Sequence, residues 1–466
     1  MRPQSHDFVA RAAAALGDAR LQTVLRGIDA RFVAARRRAL DDLPEYEALR
    51  TRAAGIRAHV LDHLDLYLER FIDRVEAAGG RVHLAEDAAA ARKVVVDLCR
   101  SAGVRTLTKS KSMVGEEIAI NEALADAGIT AVETDLGEYI LQLADEPPSH
   151  IVAPAFHKTK EEVATLFARF HGGTPRREEG ADLVAEARAV LRERYFAADA
   201  GLTGANFLVA ETGQAVLVTN EGNGDLCQSL PRLHIVLASI EKLVPTLEDA
   251  TTLLRLLARS ATGQEITAYT SFSLGPRRPG DAVGPAAFHV VLVDNGRTAM
   301  LADPGLRPLL GCIRCGACIN HCPVYAAVGG HAFGWVYPGP VGAALNPALA
   351  GLAEAHPLPA ASTLCGACAE VCPVKIPLPD ILRHWREKSH RARLSPVGER
   401  LGVRLWAWLA RHPRLYHPGL RLLAAGLRMM ARGGAIARLP LLGGWTRRRD
   451  MPAPEPRRGR FRERRE

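Results

Sequence analysis

The sequence predicts an α/β domain in the middle of the chain, helical regions at both ends, and a small module organised by cysteine after the α/β part. Three observations carry this. Short apolar runs alternate with amphipathic stretches from about residue 80 to 300, the flanking regions show helical spacing, and seven of the nine cysteines fall in two runs between positions 312 and 372.

Residues 1–79 read as a helical N-terminal region. Val24, Ile28 and Phe32 recur at helical spacing, and residues 59–78 place Leu61, Leu64, Leu68, Phe71, Ile72 and Val75 on one face. Gly79-Gly80 ends that helix.

Residues 80–300 alternate strand and helix. Strands are expected at 82–84, 104–108, 129–133, 151–153, 234–238 and 288–293, helices at 87–102 and 114–127, and a hairpin of 207–210 with 215–219 about Thr212-Gly213. Two stretches here are candidates for chemistry. Thr108-Lys109-Ser110-Lys111-Ser112 follows a strand and opens a helix, which suits an anion; the plain alternative is a capped helix start with Ser112 as N-cap and Glu116 nearby. Glu211, Thr212, Asn220, Glu221 and Asn223 lie among glycines, where carboxylates offer acid-base chemistry but turn formation is the commoner role. Cys99, within an amphipathic helix, is expected in the core, whereas Cys227 is expected to be partly exposed. His157, His234 and His289 are isolated and are assigned to packing or surface roles.

Residues 301–393 contain the cysteine module. Cys312-Ile-Arg-Cys315-Gly-Ala-Cys318-Ile-Asn-His-Cys322-Pro323 is a C-x2-C-x2-C-x3-C-P run, the bacterial ferredoxin spacing for 4Fe-4S clusters, and Cys365-Gly-Ala-Cys368-Ala-Glu-Val-Cys372-Pro373 is a partial copy. Three thiolates at i, i+3 and i+6 wrap one cluster, and the fourth, before proline, serves the other. Cys312, Cys315, Cys318 and Cys372 are therefore assigned to cluster one, and Cys322, Cys365 and Cys368 to cluster two. A complete second run would have cysteine at 362, where Ser362 stands. Cluster two is thus a 4Fe-4S centre with Ser362, water or another residue as fourth ligand, or a 3Fe-4S centre; zinc and a disulfide framework are the plainer alternatives. The Gly- and Pro-rich insert between the runs carries Phe333, Trp335 and Tyr337, which would shield a cluster, form a docking surface or simply build core. A helix is expected over 380–393, with Asp380 near its start.

Residues 394–446 form a basic helical region, with Leu401, Leu405, Trp408, Leu409, Leu415, Leu420, Leu423 and Leu427 interleaved with arginines, and 447–466 read as disordered. From Leu394 onward there are 17 Arg against 5 acidic residues, whereas the first 393 residues carry 43 basic and 46 acidic. The basic pI therefore belongs to the tail, which is expected to pack as a helical hairpin on its own domain, with membrane-surface contact as the alternative. Aromatic residues for base stacking are sparse there, so no nucleic-acid partner is expected. No export signal and no run of 18 uncharged apolar residues is present, so a cytoplasmic protein, at most membrane-peripheral, is expected.

The ordered series Thr108-Lys-Ser-Lys-Ser-Met-Val-Gly-Glu-Glu117, Glu133-Thr-Asp-Leu-Gly-Glu138, Glu211-Thr-Gly, Thr219-Asn-Glu-Gly-Asn223, both cysteine runs, Gly-Gly-His331 and Tyr-Pro-Gly-Pro340 resembles the lactate utilisation protein B family over nearly the whole chain. The resemblance implies a LUD domain of the isomerase and CoA-transferase type, a two-cluster ferredoxin-like domain and a family-specific C-terminal region. It further implies oxidation of L-lactate to pyruvate with a cysteine-rich companion and a shorter LUD companion. The seven-cysteine pattern with Ser362 resembles that of the family, so it is not evidence of a damaged site, and it leaves the fourth ligand of cluster two open. An electron-transfer subunit is the leading reading; a LUD-domain enzyme acting on an anionic small molecule, with Lys109, Lys111 and Glu211 as candidates, is the alternative.

Overall fold

The computed structural model describes residues 2–172, 176–439 and 450–454. They divide into two units, Met1–Ser389 and His390–Glu466.

The first unit is built on ten strands: β1 (Arg81–Ala85), β2 (Thr106–Lys109), β3 (Thr130–Glu133), β4 (Ala200–Thr203), β5 (Phe207–Val209), β6 (Gln214–Thr219), β7 (Leu233–Ser239), β8 (Leu243–Val244), β9 (Tyr269–Ser273) and β10 (Ala287–Val293). Six form a wholly parallel sheet in the order β1-β10-β7-β4-β2-β3. All seven residues of β7 are buried, as a strand covered on both faces requires. Ile235 and Leu237 point to one core with Val95, Cys99, Leu107 and Leu124, and Val236 points to the other with Phe71, Val75 and Phe288. The expected hairpin is present, β5 and β6 being antiparallel, and it belongs to a second sheet in the order β8-β5-β6-β9.

Three local expectations differ from the structure. Residues 151–153 form bends, because the backbone N–H groups of Val152 and Ala153 donate to His150 Nδ1 and have none left for a ladder. The helix expected over 114–127 breaks into Met113–Glu117 and Ile120–Asp126 at Ala119, whose φ is 54°. The central strand β4 went unread in Ala-Gly-Leu-Thr. A Cβ on its Gly201 would lie 1.7 Å from the Cys227 carbonyl oxygen, so the strand must carry the residue that weakens its own signal.

The N-terminal helices do not form a separate body. Gln4 N–H donates to the Gly334 carbonyl, Ser5 Oγ donates to the Phe333 carbonyl, both at 2.8 Å, and the Phe8 ring meets Phe333 edge-on at 5.5 Å. One core joins Phe8, Leu25 and Ile28 to Leu253 and Leu256 of the α/β part and to Tyr325, Leu345 and Trp385 of the cysteine module. Phe333, Trp335 and Tyr337 are all buried in it, which removes them as a docking surface.

In the second unit, helices Val397–Ala410 and Pro413–Met430 contain no buried residue, and Leu401, Leu405, Trp406, Trp408, Leu420 and Leu423 are exposed. The two helices contact each other, as the helical hairpin expected from the sequence requires. Residues 440–449 and 455–466, which hold most of the stretch read as disordered, lie outside the described residues.

A buried ion network ties the loops after the strands together. Arg297, following β10, meets Glu117 and Glu241, each at 2.8 Å, with all three side chains at most 1% exposed. Tyr337 Oη donates to Glu117 at 2.7 Å, and Arg314 pairs with Glu241 at 3.2 Å. Burial opposes the charge on Glu241, yet Arg297 and Arg314 hold its carboxyl at about 2. Replacing Arg297 by Ala strands two buried carboxylates and is expected to cost about 3–5 kcal/mol, read as a lower denaturation midpoint. Because Glu241 is depressed in the folded state, its contribution is full above the ordinary carboxylate range and fades as pH falls toward 2, and acid titration of stability checks that sign.

Candidate functional site

The seven cysteines of the two runs come together across the insert that separates them. Cys315 and Cys318 lie within electrostatic reach of Cys312 and Cys372, Cys318 also of Cys368, Cys322 of Cys365, and Cys368 of both Cys322 and Cys365. Thiols of the second run thus lie within electrostatic reach of thiols of the first. None of the cysteines is in a disulfide. Among the described residues no group of three or more His, Cys, Asp or Glu is placed to hold a single metal ion.

The donor chemistry suits iron-sulfur clusters. Backbone N–H groups donate to Cys312 Sγ, Cys322 Sγ and Cys372 Sγ at 3.3–3.5 Å, the contacts that stabilise thiolate sulfur. Burial, with neighbouring thiolates, pushes Cys368 and Cys372 up to about 11, so the bare thiols are protonated at neutral pH and metal loading must release protons. Arg36, Arg50 and Arg57 surround the sites: Arg50 and Arg36 donate to carbonyls of residues 370–372, and buried Arg57 donates to those of Glu241, Leu243, Leu310 and Gly311. Cys315, Cys318, Cys368 and Cys372 are buried, Cys312 and Cys322 half-buried, and Cys365 exposed.

The two runs repeat each other in backbone as well as sequence. Arg314 and Leu364 precede the second cysteine position with φ of 59° and 53°, and Gly316 and Gly366 follow it at 77° and 89°. Leu364 N–H donates to Ser362 Oγ at 3.2 Å, as Arg314 N–H donates to Cys312 Sγ at 3.4 Å. Ser362 thus stands where the first run has its first cysteine.

A cavity of about 270 Å³ adjoins the first thiol group. Its walls come from the carboxyl ends of parallel strands: Ser110, Lys111 and Ser112 after β2, Asn206 after β4, and Ser239 and Lys242 after β7. The chain leaves β2 toward β3 but leaves β4 toward β7, so the neighbours β2 and β4 mark the reversal point at which open parallel sheets take ligands. Thr219 and Glu221 after β6 close one side, and Arg314, Cys315 and Tyr337 of the cysteine module close another. Burial, with Arg314 next, lowers Lys242 to about 8; burial and Asp135 raise Glu221 to about 7.

Not every residue singled out in the sequence reaches this place. Ser112 does cap a helix, accepting from Gly115 N–H, but Lys109 is buried and neutralised by Glu116 and Glu133, so it is not an anion ligand. Glu211 accepts from Leu247 N–H at 3.1 Å and lies at the opposite end of β6 from Asn220, roughly 20 Å away along the strand, so the cluster read from 211 to 223 does not exist. Cys227 is fully buried, against the expected partial exposure, with its sulfur 3.4 Å from Thr134 Oγ1. Cys99 is core as expected. His234 is buried against Thr203 and His157 between Ser149 and Glu146, whereas His289 is half-buried against His83. Lys242 and Arg314 were missed. A cation inside the first cysteine run was the available signal for Arg314; Lys242, following an apolar strand, offered none.

Comparison with known proteins agrees with this organisation. The LUD domain family matches residues 68–293, the 4Fe-4S dicluster domain residues 308–376, and the C-terminal domain of lactate utilisation protein B residues 386–465. Lactate utilization protein B of Shouchella clausii is 44% identical over 96% of this chain and 94% of its own length. The chain belongs to the lactate utilization protein B family. The Bacillus licheniformis member is 42% identical over 99% of this chain and 97% of its own. A DUF162 family protein from Deinococcus radiodurans aligns over 49% of this chain and 98% of its own, with a TM-score of 0.27 and 15% identity. Membership brings an iron-sulfur protein with a role in lactate utilisation. No helix among the described residues is long and apolar enough to cross a membrane.

Ser362→Cys tests the repeat directly. A thiolate there is expected to give about eight irons per chain and no oxidised 3Fe-4S signal in EPR. A 3Fe-4S signal that persists in the variant would mean that position 362 does not face the second cluster.

Proposed function

We propose that this chain is the iron-sulfur electron-transfer component of an assembly that oxidises L-lactate to pyruvate. Cys312, Cys315, Cys318 and Cys372 would hold one 4Fe-4S cluster, and Cys322, Cys365 and Cys368 the second, with Ser362 or water as its fourth ligand or with a 3Fe-4S centre in its place. The observation that carries this reading is the electrostatic proximity of thiols from two runs 42 residues apart in sequence. Centres of this kind supply one-electron transfer, and oxidising lactate to pyruvate releases two electrons and two protons.

The chain's own residues divide that work. Burial of Cys315, Cys318 and Cys372 with Trp335 and Tyr337 keeps water from the first group. Exposed Cys365 and half-buried Cys322 bring the second toward solvent, where a companion can exchange electrons with it. The companions are a cysteine-rich protein and a shorter LUD protein. The basic helices 397–410 and 413–430, with Trp and Leu exposed among arginines, supply peripheral membrane contact.

Anaerobically purified protein is expected to carry about eight irons with matching acid-labile sulfide, and to show two interacting centres in EPR after dithionite. L-lactate is expected to reduce those centres when both companions are present. Zinc without iron, or centres that lactate and companions leave oxidised, would overturn the reading.

A further inference from the structure

The 270 Å³ cavity has Cys315 in its wall but no other cysteine, and that wall is left incomplete in a specific way. Ser110 Oγ, Thr219 Oγ1 and Arg314 Nη1 are buried polar atoms without a hydrogen-bond partner, and all three residues line it. The Arg314 side chain is only 8% exposed. Lys242 is buried too, and among the described residues no hydrogen bond or ion pair is found for its ammonium. Native proteins rarely leave one buried polar atom unpaired, so three such atoms, with the Lys242 side chain beside them in the wall of a single space, point to a missing occupant.

We propose that this cavity binds a small organic carboxylate bearing a hydroxyl or carbonyl group, Lys242 and Arg314 receiving the carboxylate and Ser110 and Thr219 the second oxygen. The competing explanation is that both cations serve only to offset the neighbouring thiolates. Arg57 already stands beside Cys312 with its donors satisfied by four carbonyls, and neither Lys242 nor the free Arg314 nitrogen is tied down in that way. A phosphate dianion fits less well, since Asp135 and Glu221 share the walls and would repel its second charge. Leu217, Leu257, Ala258 and Ala261 line the cavity as well and suit the carbon skeleton of such an acid. Because Cys315 and Arg314 are part of the wall, the ligand would lie directly against the first thiol group.

The choice of probes rests on the function proposed above; the site itself rests on the cavity. Calorimetric titration of the full, anaerobically purified chain with L-lactate, pyruvate and inorganic phosphate tests it, with EPR of the reduced protein recorded before and after pyruvate. One of the two acids is expected to bind more tightly than phosphate, and to perturb the EPR spectrum. Lys242→Gln is expected to weaken that binding by about tenfold or more at unchanged iron content. Thr219→Val, which removes only the unpaired hydroxyl with little change of shape, is expected to weaken it several-fold and guards against misfolding of the lysine variant. Binding no tighter than phosphate, or equal in the parent and both variants, would overturn the site while leaving iron-based electron transfer standing. A chain that lacks iron yet binds pyruvate through Lys242 would do the reverse.

Discussion

The interaction on which the rest of the structure depends is the buried set of Glu117, Glu241, Arg297, Arg314 and Tyr337. Each comes from a different connection: the short helix after β2, the 3-10 turn after β7, the helix after β10, the first cysteine run and the insert. Two carboxylates and two guanidinium groups balance one another where water is absent, so none can be removed without leaving charge behind. The network also fixes where the cysteine module lies on the sheet. Arg314 is anchored to Glu241, stacks over Tyr337 at 5.2 Å, and sits in the chain between Cys312 and Cys315.

That anchoring explains why the open end of the sheet faces the thiol groups. A parallel sheet presents its loops, helix starts and unpaired backbone donors at the carboxyl ends of its strands, and those ends are the ones this module covers. The electrostatics follow the same division. Lys109 is spent inside the domain on Glu116 and Glu133, whereas Lys242 and Arg314 stay at the boundary.

Legibility in the sequence tracked how local each signal was. The cysteine runs are read from spacing alone because cluster geometry is imposed over a few residues, and β7 and β10 are legible because strands buried on both faces must be apolar throughout. The missed features are those set by tertiary contact. Gly201 disguises β4 because Cys227 passes too close for a side chain, His150 takes the donors that would have made 151–153 a strand, and Glu211 is parted from Glu221 by the length of β6. The cavity is assembled from nine separated segments, and no spacing rule reports such a meeting.

The hydrogen bonds of Gln4 and Ser5 to the Gly-rich insert have a consequence for how the chain reaches this state. Ser5 and Phe333 are 328 residues apart, and Gly334 must be glycine because a Cβ there would lie 2.4 Å from the Gln4 carbonyl oxygen. During synthesis the first helices emerge early but cannot bury Phe8 or close that joint until the insert has followed them. Contacts of such separation slow folding, so the amino-terminal segment waits, exposed, for most of translation. Under the ligand assignment proposed above, cofactor insertion needs Cys312 and Cys372 together and so falls at the end of the process, when nearly the whole chain is already in place.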